Sequence, residues 1–557
     1  MNTWQGLRAT LGSVAVLVLV FVLAAWMDGA PPRVQVVPDG IPIHPTDEQA
    51  YRTSGSLLKL EAGPSGRGYF AMGPGGEFKA FTDSITMALK PSTVEAARLL
   101  ATPISLAWRH PIVGLPAACS VRTAGAQGEG RTEERLRTFL FTRHGGLPVV
   151  SLQLTTGALL DPDTGLLVVG NAIFHGPRKL LIAEARDPRW WKYPGNFHMR
   201  GREWERAGRL QFILPDGSTG FETAVGVRIN GQMTRGFPQH AFRLGFREPL
   251  RYDLFGEEVK DGYDALVLRA AGNDQIKAMM RDVFQHRLCE GLPFETSGHR
   301  TCVVYLNDAY WGLHHLRPRM DDEEIARRYG IPRKRITILE DEARLYRGDT
   351  AEVVRFERLA SRTGAWNGRD AAWADTLLAR IDVEGFLTYM ATQMILGNMD
   401  WPNQNVRFWR YSGRPREERP LDGRWYFIMG DSDLGYGVQG SPDSDMFARA
   451  RAMDVPVTRL FWGMMRWPAF KLRFIAIAED LVQGPFSAER SLRELDAIAA
   501  LMAPEMERHT ARWRKPADMQ DWRAHVEVMR NFARLRGPAI REQLRAFAAQ
   551  GTDGQKP

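Results

Sequence analysis

The hydrophobic pattern of this chain changes about two thirds of the way along, from strand-like segments to helix-like segments. Short apolar runs and alternations separated by turn residues recur between about residues 56 and 313, whereas apolar residues beyond Asp382 recur mostly at helical spacing. Period-two alternation indicates β-strands, and a 3.6-residue period indicates helices. At 557 residues the chain is also too long for one hydrophobic core. The sequence therefore predicts an α+β protein of two or three domains with a helical C-terminal part.

The strand-like segments are short and lie between Gly, Pro, Asn and Asp turn signals. Predicted strands lie at residues 147–154, 166–169, 210–214, 226–229, 241–247, 264–268 and 301–313, the last folding into a hairpin over Asn307 and Asp308. A helix is predicted over residues 276–288, and Ser491 with Glu494 has the order of a helix-starting capping box. Near the C-terminus, helical spacing relates Trp522, Val526, Met529, Ile540, Leu544 and Phe547.

Composition narrows the class of protein only modestly. The chain is 44% hydrophobic and 25% charged, which is typical of a globular protein. Its net charge of +8 favours acidic partners, but the basic residues are scattered and do not cluster with stacking aromatics, so we expect no nucleic-acid partner. The three cysteines form no disulfide framework or metal-binding motif.

The N-terminus carries an apolar segment long enough to cross a bilayer. Residues 9–27 contain no charge over 19 positions and follow Arg8. Because a positive flank stays on the cytoplasmic side, residues 1–30 are predicted to be a short cytoplasmic tail and a single membrane anchor. A cleaved signal peptide is the alternative. Residues 31–55 then read as a linker, and the bulk of the chain is predicted to be periplasmic or at the cell surface.

Candidate functional residues concentrate in two neighbouring segments, 397–405 and 425–433. Asp400 is followed five residues later by Asn405, and an apolar run then leads to Asp431 and Asp433. Carboxylate and amide oxygens are the ligands that Mg²⁺ prefers, so Asp431, Asn405 and Asp433 are the candidate metal ligands. Asp-Trp-Pro-Asn is also ordinary turn chemistry, which is the structural alternative for this segment.

Four motifs in order resemble those of one known family. They lie at residues 226–244, 304–313, 397–405 and 423–437, and together they are similar to the signature of the spore coat protein H (CotH) kinase family. The resemblance implies an atypical protein-kinase-like domain over residues 146–450, followed by a helical extension over 451–557. Residues 56–145 resemble the chitobiase-C-terminal-like β-sandwich that often precedes this domain.

The family resemblance implies transfer of the γ-phosphoryl group of ATP, with Mg²⁺ or Mn²⁺, to a Ser or Thr of an envelope or surface protein. Such chemistry needs positioning and charge neutralisation more than covalent help. Asp400 and Asn405 are then the expected catalytic residues, with Asp400 orienting the attacking hydroxyl. The predicted phosphate-binding cations are Arg228, Arg235 and Arg243.

Two positions depart from the family pattern. His240 stands where the family usually has Lys, and Pro318 stands where it usually has Glu. These departures leave open a second hypothesis, a weak or inactive kinase-like envelope protein that binds a polysaccharide or a protein partner. A glycoside hydrolase is disfavoured because Asp431 and Asp433 would share one strand end instead of facing each other across a cleft.

Overall fold

The computed structural model describes residues 33–37 (backbone only), 49–112, 114–127, 130–171, 189–256 and 261–550. The predicted membrane anchor at residues 9–27 lies outside these ranges. Within them, no helix combines the length and the apolar character that a bilayer crossing requires.

The first part of the chain is mostly strands. It contains β1 (Arg33–Val37), β2 (Leu57–Glu61), β3 (Arg67–Met72), β4 (Lys79–Thr82), β5 (Ser84–Ala88), α1 (Thr93–Ala101), β6 (Cys119–Gln127), β7 (Gly130–Arg131) and β8 (Arg135–Phe139). One sheet has the order β1-β2-β5, and the other has the order β4-β3-β6-β7 with β8 also paired to β6. A shared apolar core contains Leu58 from the first sheet and Phe70, Phe81 and Val121 from the second. The likeness of this segment to a chitobiase-type domain stays a prediction.

A closed barrel of seven strands follows. Its elements are β9 (Val149–Leu154), α2 (Thr156–Leu160), β10 (Arg206–Ile213), β11 (Thr219–Asn230), β12 (Ala241–Leu250), β13 (Tyr263–Arg269), α3 (Arg281–Leu288), β14 (Arg300–Leu306) and β15 (Ala309–Pro318). The strand order is β10-β11-β12-β13-β15-β14-β9, and β14 closes the barrel by pairing in parallel with β9. Closure removes exposed strand edges, and Val227, Phe242, Leu268 and Val304 fill the interior.

The remaining elements form a four-stranded sheet and a helical part. They are α4 (Asp322–Tyr329), β16 (Ile336–Glu340), β17 (Arg344–Arg347), α5 (Ala351–Ala365), α6 (Ala371–Arg380), α7 (Val383–Leu396), β18 (Val406–Tyr411), β19 (Tyr426–Met429), α8 (Met446–Ala452), α9 (Pro456–Met464), α10 (Pro468–Gln483), α11 (Ala488–Trp513) and α12 (Met519–Ala549). The sheet order is β17-β16-β18-β19. The mixed α+β fold with a helical C-terminal part is therefore as predicted.

Strand β19 is buried on both faces, which fixes the position of the residues that follow it. Tyr426 and Ile428 join one apolar cluster, while Phe427 and Met429 join the large core shared with the helices. Because alternate strand residues face opposite sides, an uninterrupted apolar run is what such a strand requires. The strand therefore delivers Asp431 to the end of a rigid element.

One predicted strand is wrong. Residues 166–169 form a bend, in which the N–H groups of Leu166 and Leu167 donate to the carbonyls of Ala158 and Leu159. Leu166 and Leu167 are buried against the barrel interior. Burial explains the apolar run equally well without a strand, since a run this short does not define its own backbone conformation.

Two helices begin at positions other than predicted. The predicted helix from Ile276 starts at Arg281, because the Asp274 carboxylate accepts bonds from the N–H groups of Ala278, Met280 and Arg281 and holds the chain in a tight turn first. The helix assigned to a Ser491 cap starts earlier, at Ala488. Its cap is Ser487, whose hydroxyl accepts from the Arg490 N–H. The predicted apolar face of α12, from Trp522 to Phe547, is buried as expected.

The hairpin turn at Asp308 joins the N-terminal sheets to the barrel. The Asp308 side chain is fully buried, and its carboxylate accepts bonds from the Ser92 hydroxyl at 2.7 Å and the Gln153 amide at 2.8 Å. The Ser120 N–H and hydroxyl donate to the same carboxylate at 3.0 and 2.9 Å. One side chain thus satisfies donors from three separate segments.

Replacing Asp308 with Ala is expected to lower the free energy of unfolding by about 3 kcal/mol, because it leaves several buried donors without an acceptor. Urea unfolding followed by tryptophan fluorescence measures this loss. Asp375→Ala, on the exposed face of α6, is the control and should change stability by less than about 0.5 kcal/mol. Equal midpoints for the two variants would contradict the anchoring role.

Candidate active site

A cleft of about 660 Å³ lies between the outer face of the barrel and the four-stranded sheet. It brings together five of the residues singled out from the sequence, namely Arg228, Arg235, Arg243, Asn405 and Asp431. Strands β11 and β12 supply Arg228 and Arg243, the turn between these strands supplies Arg235, and the ends of β18 and β19 supply the amide and the carboxylate. Asp400 and Asp433 lie behind this lining and contact residues within it.

The arginines form a row across neighbouring barrel strands. Arg228 pairs with Arg243 in the β11–β12 register, and Val267, which pairs with Arg243, pairs on its other side with Arg317. Directly paired residues point to the same face of a sheet. Their sequence neighbours Val227, Phe242, Leu266 and Leu316 fill the barrel interior. Strand alternation therefore turns Arg228, Arg243 and Arg317 outward into the cleft.

The three predicted phosphate-binding arginines, Arg228, Arg235 and Arg243, differ in how their charges are compensated. Arg243 forms an ion pair with Glu323 at 3.0 Å, and Arg228 forms one with Glu205 at 3.1 Å. Arg235 is only 7% exposed and donates to the carbonyls of residues 231, 197 and 199. Burial, followed by the charge of Arg200, lowers the pKa of Arg235 to about 9. An anion in the cleft would therefore be favoured beside Arg235.

The loop after α7 holds Asp400 and Asn405 against each other. The Asn405 Nδ2 group donates to Asp400 Oδ2 at 3.0 Å, and the Asp400 N–H donates to the buried Asn398 side chain at 3.2 Å. Arg449 donates to the carbonyls of Met399 and Trp401 and fixes the loop from the helical side. Burial, with a smaller contribution from the Asp431 charge, raises the pKa of Asp400.

Asp431 and Asp433 follow β19 and share one cation, Arg269. Arg269 Nη2 donates to Asp431 Oδ1 and, at 3.1 Å, to Asp433 Oδ2. Asp433 is almost fully buried and also accepts from the Asn273 N–H at 2.7 Å and from Asn273 Nδ2 at 3.1 Å. Burial and the neighbouring Asp431 raise the pKa of Asp433 well above its usual range. Asp431 is the more accessible carboxylate of the two, with a side chain 33% exposed.

The donor set fits a magnesium-type ion that is completed by substrate oxygens. Asp431 offers an accessible carboxylate, and Asn405 uses its Nδ2 group on Asp400, which leaves its amide oxygen available to the cleft. Mg²⁺ is usually held by one or two carboxylates together with phosphate oxygens. In the ranges that the structure describes, no group of three or more His, Cys, Asp or Glu side chains is arranged to hold a metal by itself.

The two departures from the family pattern lie in different surroundings. His240 is fully buried, stacks on Phe197 and bonds the Ile104 carbonyl through Nε2 at 3.2 Å. Burial lowers its pKa to about 3, so the ring is neutral at pH 7. It is not part of the cleft lining, whereas Pro318 is. His240 therefore offers the cleft no cation.

Sequence reasoning missed Arg269, Asp282 and Arg317. Asp282 is buried and receives a bond from Arg317 Nη1, and its Oδ2 lies 3.5 Å from Arg269 Nε. The sequence did contain one signal for Arg269, which directly follows a predicted strand. Arg269 is two residues from Val267, so strand alternation would turn both side chains to the same face of the sheet. Its carboxylate partner Asp431 is 162 residues away, which no local pattern reveals.

The barrel and the four-stranded sheet meet around one cleft, with Asn405 and Asp431 on one side and arginines on the other, an arrangement consistent with a kinase-like α+β protein. Residues 227–540, more than half of the chain, match the family model described as CotH kinase protein. The chain belongs to the CotH kinase family. No curated protein matches it.

Proposed function

We propose that this protein is an atypical kinase that transfers the γ-phosphoryl group of ATP to a Ser or Thr hydroxyl of an envelope or surface protein. The observation that carries the proposal is the single cleft that unites Asn405 and Asp431 with Arg228, Arg235 and Arg243. Phosphoryl transfer requires an aligned hydroxyl and cations around the phosphates, and both can be accommodated here. The membrane anchor at residues 9–27 and the extracytoplasmic location are part of the same proposal.

In this proposal each residue has one task. Asp431 and the Asn405 amide oxygen hold Mg²⁺ or Mn²⁺, which when bound neutralises charge on the phosphates. Arg235 contacts phosphate oxygens, because, unlike Arg228 and Arg243, its hydrogen bonds in the described structure go to carbonyls rather than carboxylates. The hydroxyl oxygen forms a bond to the γ-phosphorus while the bond from that phosphorus to the ADP oxygen breaks. Asp400 accepts the hydroxyl proton, since its raised pKa makes it a better base than an ordinary Asp.

A second candidate is a kinase-like binding protein with little or no catalytic activity. Two ion pairs favour it, Arg228 with Glu205 and Arg243 with Glu323. Two of the three proposed phosphate-binding cations therefore already have a carboxylate partner. Such a protein would bind its polysaccharide or protein partner without nucleotide. Nucleotide binding therefore separates the two functions.

The purified full chain is expected to gain thermal stability with millimolar ATP and Mn²⁺, and much less with either component alone. Binding to the folded state stabilises by mass action, about 2.7 kcal/mol when the ligand is at 100 times its dissociation constant. Tryptophan-fluorescence melting measures the shift, and ADP with Mn²⁺ tests whether the γ-phosphate adds to it. An unchanged melting temperature across the ATP and Mn²⁺ titration would favour the binding protein instead.

A further inference from the structure

The cation that contacts Asp431 and Asp433, two of the three metal ligands predicted from the sequence, is a side chain of the protein itself. A single guanidinium nitrogen, Arg269 Nη2, contacts both Asp431 and Asp433, the two carboxylates that follow β19. A divalent ion shared by these carboxylates would need much the same place. The guanidinium is held there by strand β13, so this contact is built into the barrel and does not depend on an exposed, flexible side chain.

The charges around this point come from several packed elements. Asp282 on α3 faces Arg269 and Arg317, and Asp433 is also bonded by Asn273 from the turn before α3. Two arginines thus face three carboxylates, and Asp431 is the member most open to the cleft. A guanidinium stays protonated in proteins, so Arg269 remains a permanent competitor for any cation at these carboxylates.

We infer that Arg269 competes with the divalent ion for Asp431 and Asp433, so that the ion binds well only together with the nucleotide. When the metal binds the two carboxylates, Arg269 loses its partners, and the phosphates of the nucleotide give it another anion to pair with. This inference rests on the proposed function for the identity of the nucleotide. The competition itself is a property of the protein and the metal alone.

The physical reason is that a carboxylate pair already partnered by a half-buried cation gains little from a second one. Breaking the ion pair between Arg269 and the buried Asp433 without replacement leaves an uncompensated buried charge, which is unfavourable. A metal that binds alone must displace Arg269 from its carboxylates and leave the guanidinium without an anion. A metal that binds together with phosphate gives Arg269 a new anionic partner, so metal binding is coupled to nucleotide binding.

The test measures Mn²⁺ binding by electron paramagnetic resonance on the purified full chain, without nucleotide and then with ADP. The wild type is expected to bind Mn²⁺ weakly until ADP is added. Arg269→Gln is expected to bind Mn²⁺ alone at least 10-fold more tightly than the wild type, and to show a smaller gain from ADP. Arg269→Lys keeps a charge but loses the Nε group that lies 3.5 Å from Asp282, so its ammonium is held less firmly beside Asp431 and Asp433 and the Mn²⁺ affinity should rise by about 3-fold.

Arg317→Gln is the matched control. Arg317 lies on the neighbouring strand and is bonded to Asp282, whereas its described contacts include neither Asp431 nor Asp433, so its loss should change Mn²⁺ affinity by less than about 1.5-fold. If Arg269→Gln does not fold, Arg269→Lys decides the question. Mn²⁺ affinity equal to that of the wild type in the folded Arg269 variants would overturn the inference, even where ATP binding is intact. Tight Mn²⁺ binding by Arg269→Gln with no nucleotide binding in any variant would support it while contradicting the kinase proposal.

Discussion

Replacing Asp431 with Asn is expected to lower the rate of phosphoryl transfer by about 10²-fold or more, the scale typical of losing one electrostatic stabiliser. The same change should remove the Mn²⁺-dependent part of the thermal shift with ATP. Asp431 lies in the cleft with a partly exposed carboxylate that is paired with Arg269. Asn has nearly the same shape but no charge, so a bound metal would lose the more accessible of the two carboxylates that follow β19, while the packing of β19 stays intact.

Single-turnover transfer from radiolabelled ATP and melting curves with Mn²⁺-ATP measure the two effects. The control is Asp443→Asn, which removes one exposed carboxylate outside the cleft lining and should leave both quantities unchanged. Circular dichroism should show wild-type folding for both variants. Full transfer activity in Asp431→Asn would assign the metal site to other residues.

The parts of the site that lie close together in sequence could be predicted. Asp400 and Asn405 are five residues apart on one loop and are indeed hydrogen bonded, at 3.0 Å. Asp431 follows an apolar run that forms a strand buried on both faces. The outward row of arginines follows from strand alternation once the strands are known. The roles assigned to these residues stay predictions, because the geometry alone tests no chemistry.

What the sequence could not reveal depends on distant pairings. The Arg269–Asp431 contact joins residues 162 positions apart, and neither residue carries a local sign of the other. Closure of the barrel by parallel pairing of β9 with β14 is equally non-local, since no turn motif connects them. The bend at residues 166–169 shows the opposite failure, because burial produced an apolar run that looked like a strand.

His240 shows why a departure from a family pattern needs a structure before it is interpreted. Because the family usually has Lys at this position, the resemblance implies that a cation placed here would contribute to phosphate binding. The structure instead encloses the ring between Phe197 and the Ile104 carbonyl, with no exposed surface. Among the described residues His240 contacts the Phe197 ring and the Ile104 carbonyl rather than a carboxylate, and it lies outside the cleft lining, so a lysine ammonium there would be placed in the same surroundings.

Replacing His240 with Lys is therefore expected to lower the free energy of unfolding at pH 7 by about 3 kcal/mol or more, the cost of an uncompensated buried charge. Burial depresses the pKa of a lysine, so the unfolded chain binds more protons than the folded one and stability rises with pH. The loss should accordingly shrink as the pH approaches about 10, near the ordinary pKa of Lys.

Urea unfolding of the wild type and the variant at pH 7 and pH 10 measures both the loss and its recovery. His525→Lys on α12 is the matched control, because His525 is part-exposed and lies beside Asp521 at 3.4 Å, where a Lys keeps a partner and water. That variant should be nearly as stable as the wild type at both pH values. If His240→Lys is also as stable as the wild type at pH 7, its ammonium must reach water or an anion. That result would contradict a buried, neutral role for this position and would favour the cation that the family resemblance implies.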